Sequence, residues 1–171
     1  ADYSYNYKVD IAGNYAQAPA LKTTTQYLYG ATFLSASDAS VDEYTQMTKS
    51  ASYKDQGVVA AKLLSETYYA GSKGDEVADY THSYKLGTTT VKNTAFYFYD
   101  RWNDANTNKV RDAGEVTIVR ASSALSDDAM VRSDSYKGKI TAVDSTLLQS
   151  ATYYSKLAKG EEVADYTYNY K

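Results

Sequence analysis

One eight-residue string occurs three times in this chain, and it limits the possible folds more than any other feature. Residues 1–8 read ADYSYNYK, residues 78–85 ADYTHSYK and residues 164–171 ADYTYNYK. In the first copy Tyr3, Tyr5, Tyr7, Val9 and Ile11 alternate with Asp2, Ser4, Asn6, Lys8 and Asp10. A period of two places the tyrosines on one face and the polar residues on the other, the signature of a half-buried β-strand. Tyr80, His82, Tyr84 and Leu86 continue the pattern in the second copy, and Tyr166, Tyr168 and Tyr170 in the third.

The duplication extends beyond this string. Leu63 through Lys85 is matched by Leu147 through Lys171, Ser50–Lys54 by Ser133–Lys137, and Thr23–Tyr29 by the stretch from Thr88 to Tyr99. Repetition at this scale is read before any local element, because it sets the architecture. It predicts a first β repeat over 1–77, a second over 78–163, and a third copy of the opening strand over 164–171. The expected fold is mainly β, as two tandem homologous antiparallel β-sandwich-like domains. Further strands are expected at 24–34, 45–53, 94–100, 116–121 and 138–143. Turns are expected at 73–76 and 159–162, each leading into the repeated strand. Segments 58–70 and 145–158 fit two patterns. Their Thr-Tyr-Tyr runs favour strand. Leu147, Ala151, Tyr154 and Ala158 share a helical stripe before Gly160, which leaves an α+β alternative with one helix per repeat.

Composition removes several function classes. The 171 residues contain no cysteine, which excludes disulfides, thiol catalysis and cysteine-held metals. A single histidine, His82, leaves little for triad or multi-histidine chemistry. With 18 basic and 21 acidic residues the formal charge is −3, and there is no basic excess to neutralise nucleic-acid phosphates. No apolar run reaches membrane-spanning length, so neither nucleic acid nor membrane insertion is expected. There is no Gly-x-Ser-x-Gly, phosphate loop or dinucleotide fingerprint. A paired-carboxylate glycosidase is the one enzyme class the carboxylates leave open, and two repeats of this size are small for such a cleft. No catalytic residue is expected. The opening Ala1-Asp2-Tyr3 suits a chain processed for export or a piece of a longer protein.

The sharpest chemical motif runs from Asp104 to Glu115. Asp104, Asn106, Asn108, Asp112 and Glu115 stand at positions 1, 3, 5, 9 and 12 of a twelve-residue loop, and Val110 at position 7 offers its carbonyl. Calcium takes six to eight hard oxygens, and this spacing wraps the chain once around an ion with Glu115 closing bidentately. Lys109 stands where the pattern wants glycine. Phe96–Tyr99 before the loop and Val116–Val119 after it read as strands. A strand–loop–strand calcium motif ending Asp-x-Gly-Glu resembles the calcium-binding B-type repeats of bacterial surface adhesins and similar exported tandem-repeat proteins. The resemblance implies a secreted or cell-surface location and Ca2+-rigidified domains. The first repeat lacks the loop: Asp38, Asp42 and Glu43 do not have the spacing.

Tyrosine accounts for 20 residues. Its rings either line the inner face of the sandwich or form an aromatic surface for sugar or for another subunit. Trp102, just before the loop, either plugs the sandwich end or contacts sugar. His82 stands where the sister copies carry Tyr5 and Tyr168, so it is expected to replace an aromatic on a strand face rather than catalyse. The charged residues of 73–76 and 159–162 are expected to be solvated.

Two functions follow. One is a structural subunit of an extracellular filament, surface layer or matrix fibre, assembled by donor-strand exchange with itself through Tyr3, Tyr5, Tyr7, Tyr166, Tyr168 and Tyr170. The other is a carbohydrate- or surface-binding adhesin module with a glycan partner.

Overall fold

The computed structural model describes residues 1–7, 21–109, 112, 114–155 and 158–171. Val9, Ile11 and Val110 lie outside the described residues. Among the described residues ten strands form: Tyr3–Tyr7 (β1), Leu21–Tyr29 (β2), Met47–Lys54 (β3), Leu63–Ala70 (β4), Val77–Tyr84 (β5), Val91–Trp102 (β6), Val116–Val119 (β7), Ala129–Lys137 (β8), Leu148–Ser155 (β9) and Val163–Asn169 (β10). All belong to one antiparallel sheet, ordered β1-β2-β3-β4-β5-β6-β8-β9-β10, with β7 paired to β6. The mainly β, antiparallel class is therefore what these residues build. The sheet runs unbroken through the boundary expected at 77/78. Those residues open β5, which pairs with β4 on one side and β6 on the other.

The helical alternative is not realised. Ala60–Lys62 and Ser145–Leu147 are single 3-10 turns, and each leads directly into a strand, β4 or β9. Paired neighbours on both sides outweigh the helical stripe. The strand expected at 138–143 is also corrected. Gly138, at φ 73°, ends β8 at Lys137, so the strand lies one segment earlier. Strand β2 stops at Tyr29 rather than 34, because Gly30 turns the chain at φ 65°.

The repeats agree pair by pair. In β1–β2, Tyr3 faces Gln26, Tyr5 faces Thr24 and Tyr7 faces Leu21. In β5–β6, Tyr80 faces Phe96, His82 faces Thr94 and Tyr84 faces Val91. Both ladders shift register just before their last pair. The link from β2 to the turn after β3 is duplicated from β6 to the turn after β8. The Thr24 hydroxyl donates to the Asp55 carbonyl and the Thr94 hydroxyl to the Gly138 carbonyl, each at 2.8 Å. The same oxygens accept the N–H of Gly57 and of Ile140, each at 3.3 Å. Asp55 takes up the left-handed conformation, φ 59°, that Gly138 adopts freely.

Strand β6 is the centre of the packing. Alternation sends Phe96 and Phe98 to one face and Tyr97 and Tyr99 to the other. Phe96 and Phe98 pack with Tyr136 under Ile140, Leu147 and Leu148. Tyr99 packs with Val77 and Ala121 beside Val119 and Met130. Connecting segments thus supply the covering layer that a sandwich takes from a facing sheet.

Candidate functional site

The repeated strand occurs in three settings, and the middle one is complete. In β5, the Tyr80 ring stacks on Tyr68 of β4 at 4.5 Å and 15°. His82 meets Tyr68 and Tyr80 edge-on at 5.6 and 5.1 Å. Across on β6, Tyr80 packs on Phe96 at 5.6 Å, and His82 Nδ1 bonds to the Thr94 hydroxyl at 2.9 Å. His82 is 1 % exposed, as expected of a residue standing in for an aromatic. Burial depresses its pKa and Lys139 adds to the effect, while Glu66 opposes it. A neutral imidazole suits this place.

Strand β10 has one of these two sides. Tyr166 stacks on Tyr153 of β9 at 4.8 Å and 18°, and Tyr168 meets Tyr153 and Tyr166 edge-on at 5.9 and 5.3 Å. This is the β4–β5 arrangement over again. Nothing described covers its other side, and Tyr168 is 56 % exposed.

Strand β1 has the opposite side. Its ladder to β2 copies β5–β6, and the Tyr29 hydroxyl donates to the Ala1 carbonyl at 2.9 Å as the Tyr99 hydroxyl does to Ala78 at 2.6 Å. Asp2 accepts the N–H of Ala36 at 2.6 Å. Tyr3, Tyr5 and Tyr7 are all half-exposed. Among the described residues no ring of β1 stacks on another. The terminal rings thus lie at the two ends of the sheet rather than in an enclosed interior.

The hydroxyls opposite the rings repeat the division. Thr81 of β5 bonds to both neighbours, Thr67 at 2.9 Å and Tyr97 at 3.0 Å. Thr167 of β10 keeps the first bond, to Thr152 at 3.0 Å. Ser4 of β1 keeps the second, to Tyr27 at 3.1 Å.

Two groups escaped the sequence reading. Glu76 Oε1 accepts the N–H of Met47 at 3.0 Å and Oε2 that of Gly74 at 3.0 Å. Glu162 does the same with Met130 at 3.2 Å and Gly160 at 2.8 Å. These glutamates are clamps rather than solvated turn residues. The signal was present: both precede the repeated Val-Ala-Asp-Tyr at the same offset.

The loop from Asp104 to Glu115 is folded around its own side chains. Asp104 accepts the N–H of Asn108 at 3.1 Å and of Lys109 at 2.9 Å, and Asn106 Oδ1 accepts that of Asn108 at 3.0 Å. The side-chain amides of Asn106 and Asn108 donate to Asp112 Oδ2 at 2.9 and 2.8 Å, holding that carboxyl below its usual range. Glu115 Oε2 accepts from the Trp102 indole at 3.3 Å, which fixes Trp102 to the base of the loop. Lys109 has φ 59°, the left-handed turn the calcium pattern reserves for glycine. Among the described residues no three His, Cys, Asp or Glu side chains are grouped closely enough to hold a metal. Rotation of the two amides would exchange their donors for acceptors.

A cleft of about 340 Å³ opens beside β1, lined by Tyr5, Tyr7, Leu21 and Gln56. In the second repeat Ile140, the counterpart of Gly57, packs into the Phe96 cluster. Among the described residues no helix is long and apolar enough to cross a membrane. No protein-family model, curated protein or solved structure matches the chain.

Proposed function

We propose that this chain is a structural subunit that associates with copies of itself, end to end, into an extended β-sheet fibre or layer. The observation that carries this reading is the division of one interior arrangement between the two ends. Among the described residues β5 has partners on both sides, β10 has only the β4-like side, and β1 only the β6-like side. A free strand edge with half-exposed rings is a template for pairing, which folded proteins otherwise block. Contact between one end and the opposite end of another copy is heterologous, so it propagates. An extracellular setting and stiffening by Ca2+ at Asp104, Asn106, Asn108, Val110, Asp112 and Glu115 belong to the same proposal. They rest on the resemblance and on the left-handed turn at Lys109.

The test is sedimentation and electron microscopy of purified chain across a concentration series. Concentration-dependent fibres or sheets support the reading, and a monomer at every concentration contradicts it.

The cleft at Tyr5 and Tyr7 favours one second reading, a module that stacks a glycan on these rings. Titration with glycans, read by tyrosine fluorescence, tests it: binding by a permanent monomer supports the module.

A further inference from the structure

We infer that the junction between copies is made by strand replacement: β10 stays on its own β9 and takes the place of β1 on β2 of the next copy. The inference rests on the self-assembly reading above. It names which strand is kept, which is released, and in what register they meet.

The chain contains a template of the junction. At β4–β5–β6 a single repeated strand serves two neighbours. Its Tyr80 stacks on one side and packs on the other, and its Thr81 bonds both ways. At the ends of the sheet that work is divided between two near-identical strands. Bringing two copies together makes one of them redundant. Because β1–β2 and β5–β6 share their register, β10 fits β2 in the place of β1. Tyr166 then faces Gln26, Thr167 faces Thr25, Tyr168 faces Thr24 and Asn169 faces Thr23. Thr167, already bonded to Thr152, gains the Tyr27 hydroxyl that Ser4 gives up, and becomes a second Thr81.

Three observations identify β1 as the strand released. β10 is held to β9 by the ring stack of Tyr153, Tyr166 and Tyr168, whereas no described ring contact holds β1. β10 follows the Glu162 clamp, the counterpart of the Glu76 clamp before β5. Thirteen residues of sequence separate Tyr7 from Leu21, against seven between Ser155 and Val163, so pairing β1 with β2 closes a longer stretch of chain than pairing β10 with β9. Replacing β1 exchanges one set of ladder hydrogen bonds for an equivalent set, and adds contacts that β1 does not make.

Paired cysteines in this cysteine-free chain read the junction directly. Thr23→Cys with Asn169→Cys places thiols face to face only if β10 sits on β2 of another copy. Within one chain they are seven strands apart, about 34 Å at the usual strand spacing, beyond a short bis-maleimide. Asn6→Cys with Ser150→Cys reports the opposite replacement, β1 of one copy on β9 of another. The inference expects a ladder of covalent oligomers from the first pair and none from the second. A ladder from the second pair only would make β1 the retained strand. That result overturns the inference and leaves self-assembly standing. Fibres without a ladder from either pair overturn it as well, because the copies then meet without replacement. Absence of any assembly from the unmodified chain overturns the self-assembly reading and the inference together.

Discussion

Glu76, in the turn before β5, accepts the backbone N–H of Met47 at the start of β3, two strands away. It therefore ties three consecutive strands at one end, with the Gly74 N–H closing the turn. A hydrogen bond to a charged acceptor contributes about 1.5–3 kcal/mol. Glu76→Ala should lower unfolding stability by about that amount in a denaturant melt, and Glu76→Gln, which keeps an acceptor, by less than half as much. An Ala variant that melts like the parent removes the clamp from the account.

His82 gives the fold a dependence on acid. Burial holds its pKa below the ordinary value, Lys139 pushes the same way and Glu66 opposes. The unfolded imidazole therefore takes up a proton near pH 6.5 while the folded one remains neutral. The stability linked to His82 is complete above that pH and is lost as pH falls through the depressed folded value. Chemical melts between pH 7.5 and 5 should show this loss. His82→Tyr, which restores the residue of the sister copies, should flatten the profile. An unchanged slope in the variant would show that His82 does not set it.

The two repeats place one acid on opposite members of the same cross-strand pair. In the first, Ala51 faces Glu66; in the second, Asp134 faces Ala151. Glu66 accepts from Tyr84 and from Lys49 at 3.0 Å. Burial works against its charge, yet the bonds from Tyr84 and Lys49 hold its carboxyl below the usual range. At Asp134 burial prevails over Arg132 and raises the carboxyl instead. Glu66→Ala should cost about 2–3 kcal/mol, because the Lys49 ammonium and the Tyr84 hydroxyl lose a charged partner. Adding Ala51→Asp should recover at least half of that. If the double variant is no more stable than the single one, the two pairs are not equivalent.

Calcium, if the loop binds it, stabilises the folded chain by mass action, about 2.7 kcal/mol at one hundred times its dissociation constant. Glu115→Gln should remove most of that gain. A chelator should lower the melting temperature of the parent and leave the variant unchanged. Identical melts of the parent with calcium and with chelator would reduce the loop to an asparagine-rich turn closed by Asp104 and Asp112.

The repeated strands were legible in the sequence because tyrosine alternation is a local pattern. Tyr3, Tyr5 and Tyr7 announce a strand without reference to any other residue. What holds those strands was not legible, because it depends on register. Thr24 and Thr94 are ordinary strand threonines until pairing brings them to the Asp55 and Gly138 carbonyls. Glu76 and Glu162 resemble turn charges until Met47 and Met130 arrive from two strands away. The strand placed at 138–143 was misread because Ile140 and Val143 carry strand-like character, although Ile140 serves as a cover over Phe96. Nor does local pattern distinguish a half-buried interior tyrosine from an exposed edge one. Tyr80 and Tyr166 occupy equivalent positions, and only their neighbours differ.

The most direct test of the central claim is the axial repeat of the assembled fibre, measured by electron cryo-microscopy. The sheet path formed by the described residues of one chain contains nine strands. If one terminal strand is replaced at each junction, eight strands remain per copy, and at about 4.8 Å per strand the repeat along the sheet is about 38 Å. An axial repeat near that value, with continuous density from β9 through β10 to β2 of the next copy, is the predicted result. A repeat near 43 Å, with both repeated strands side by side at each junction, contradicts it.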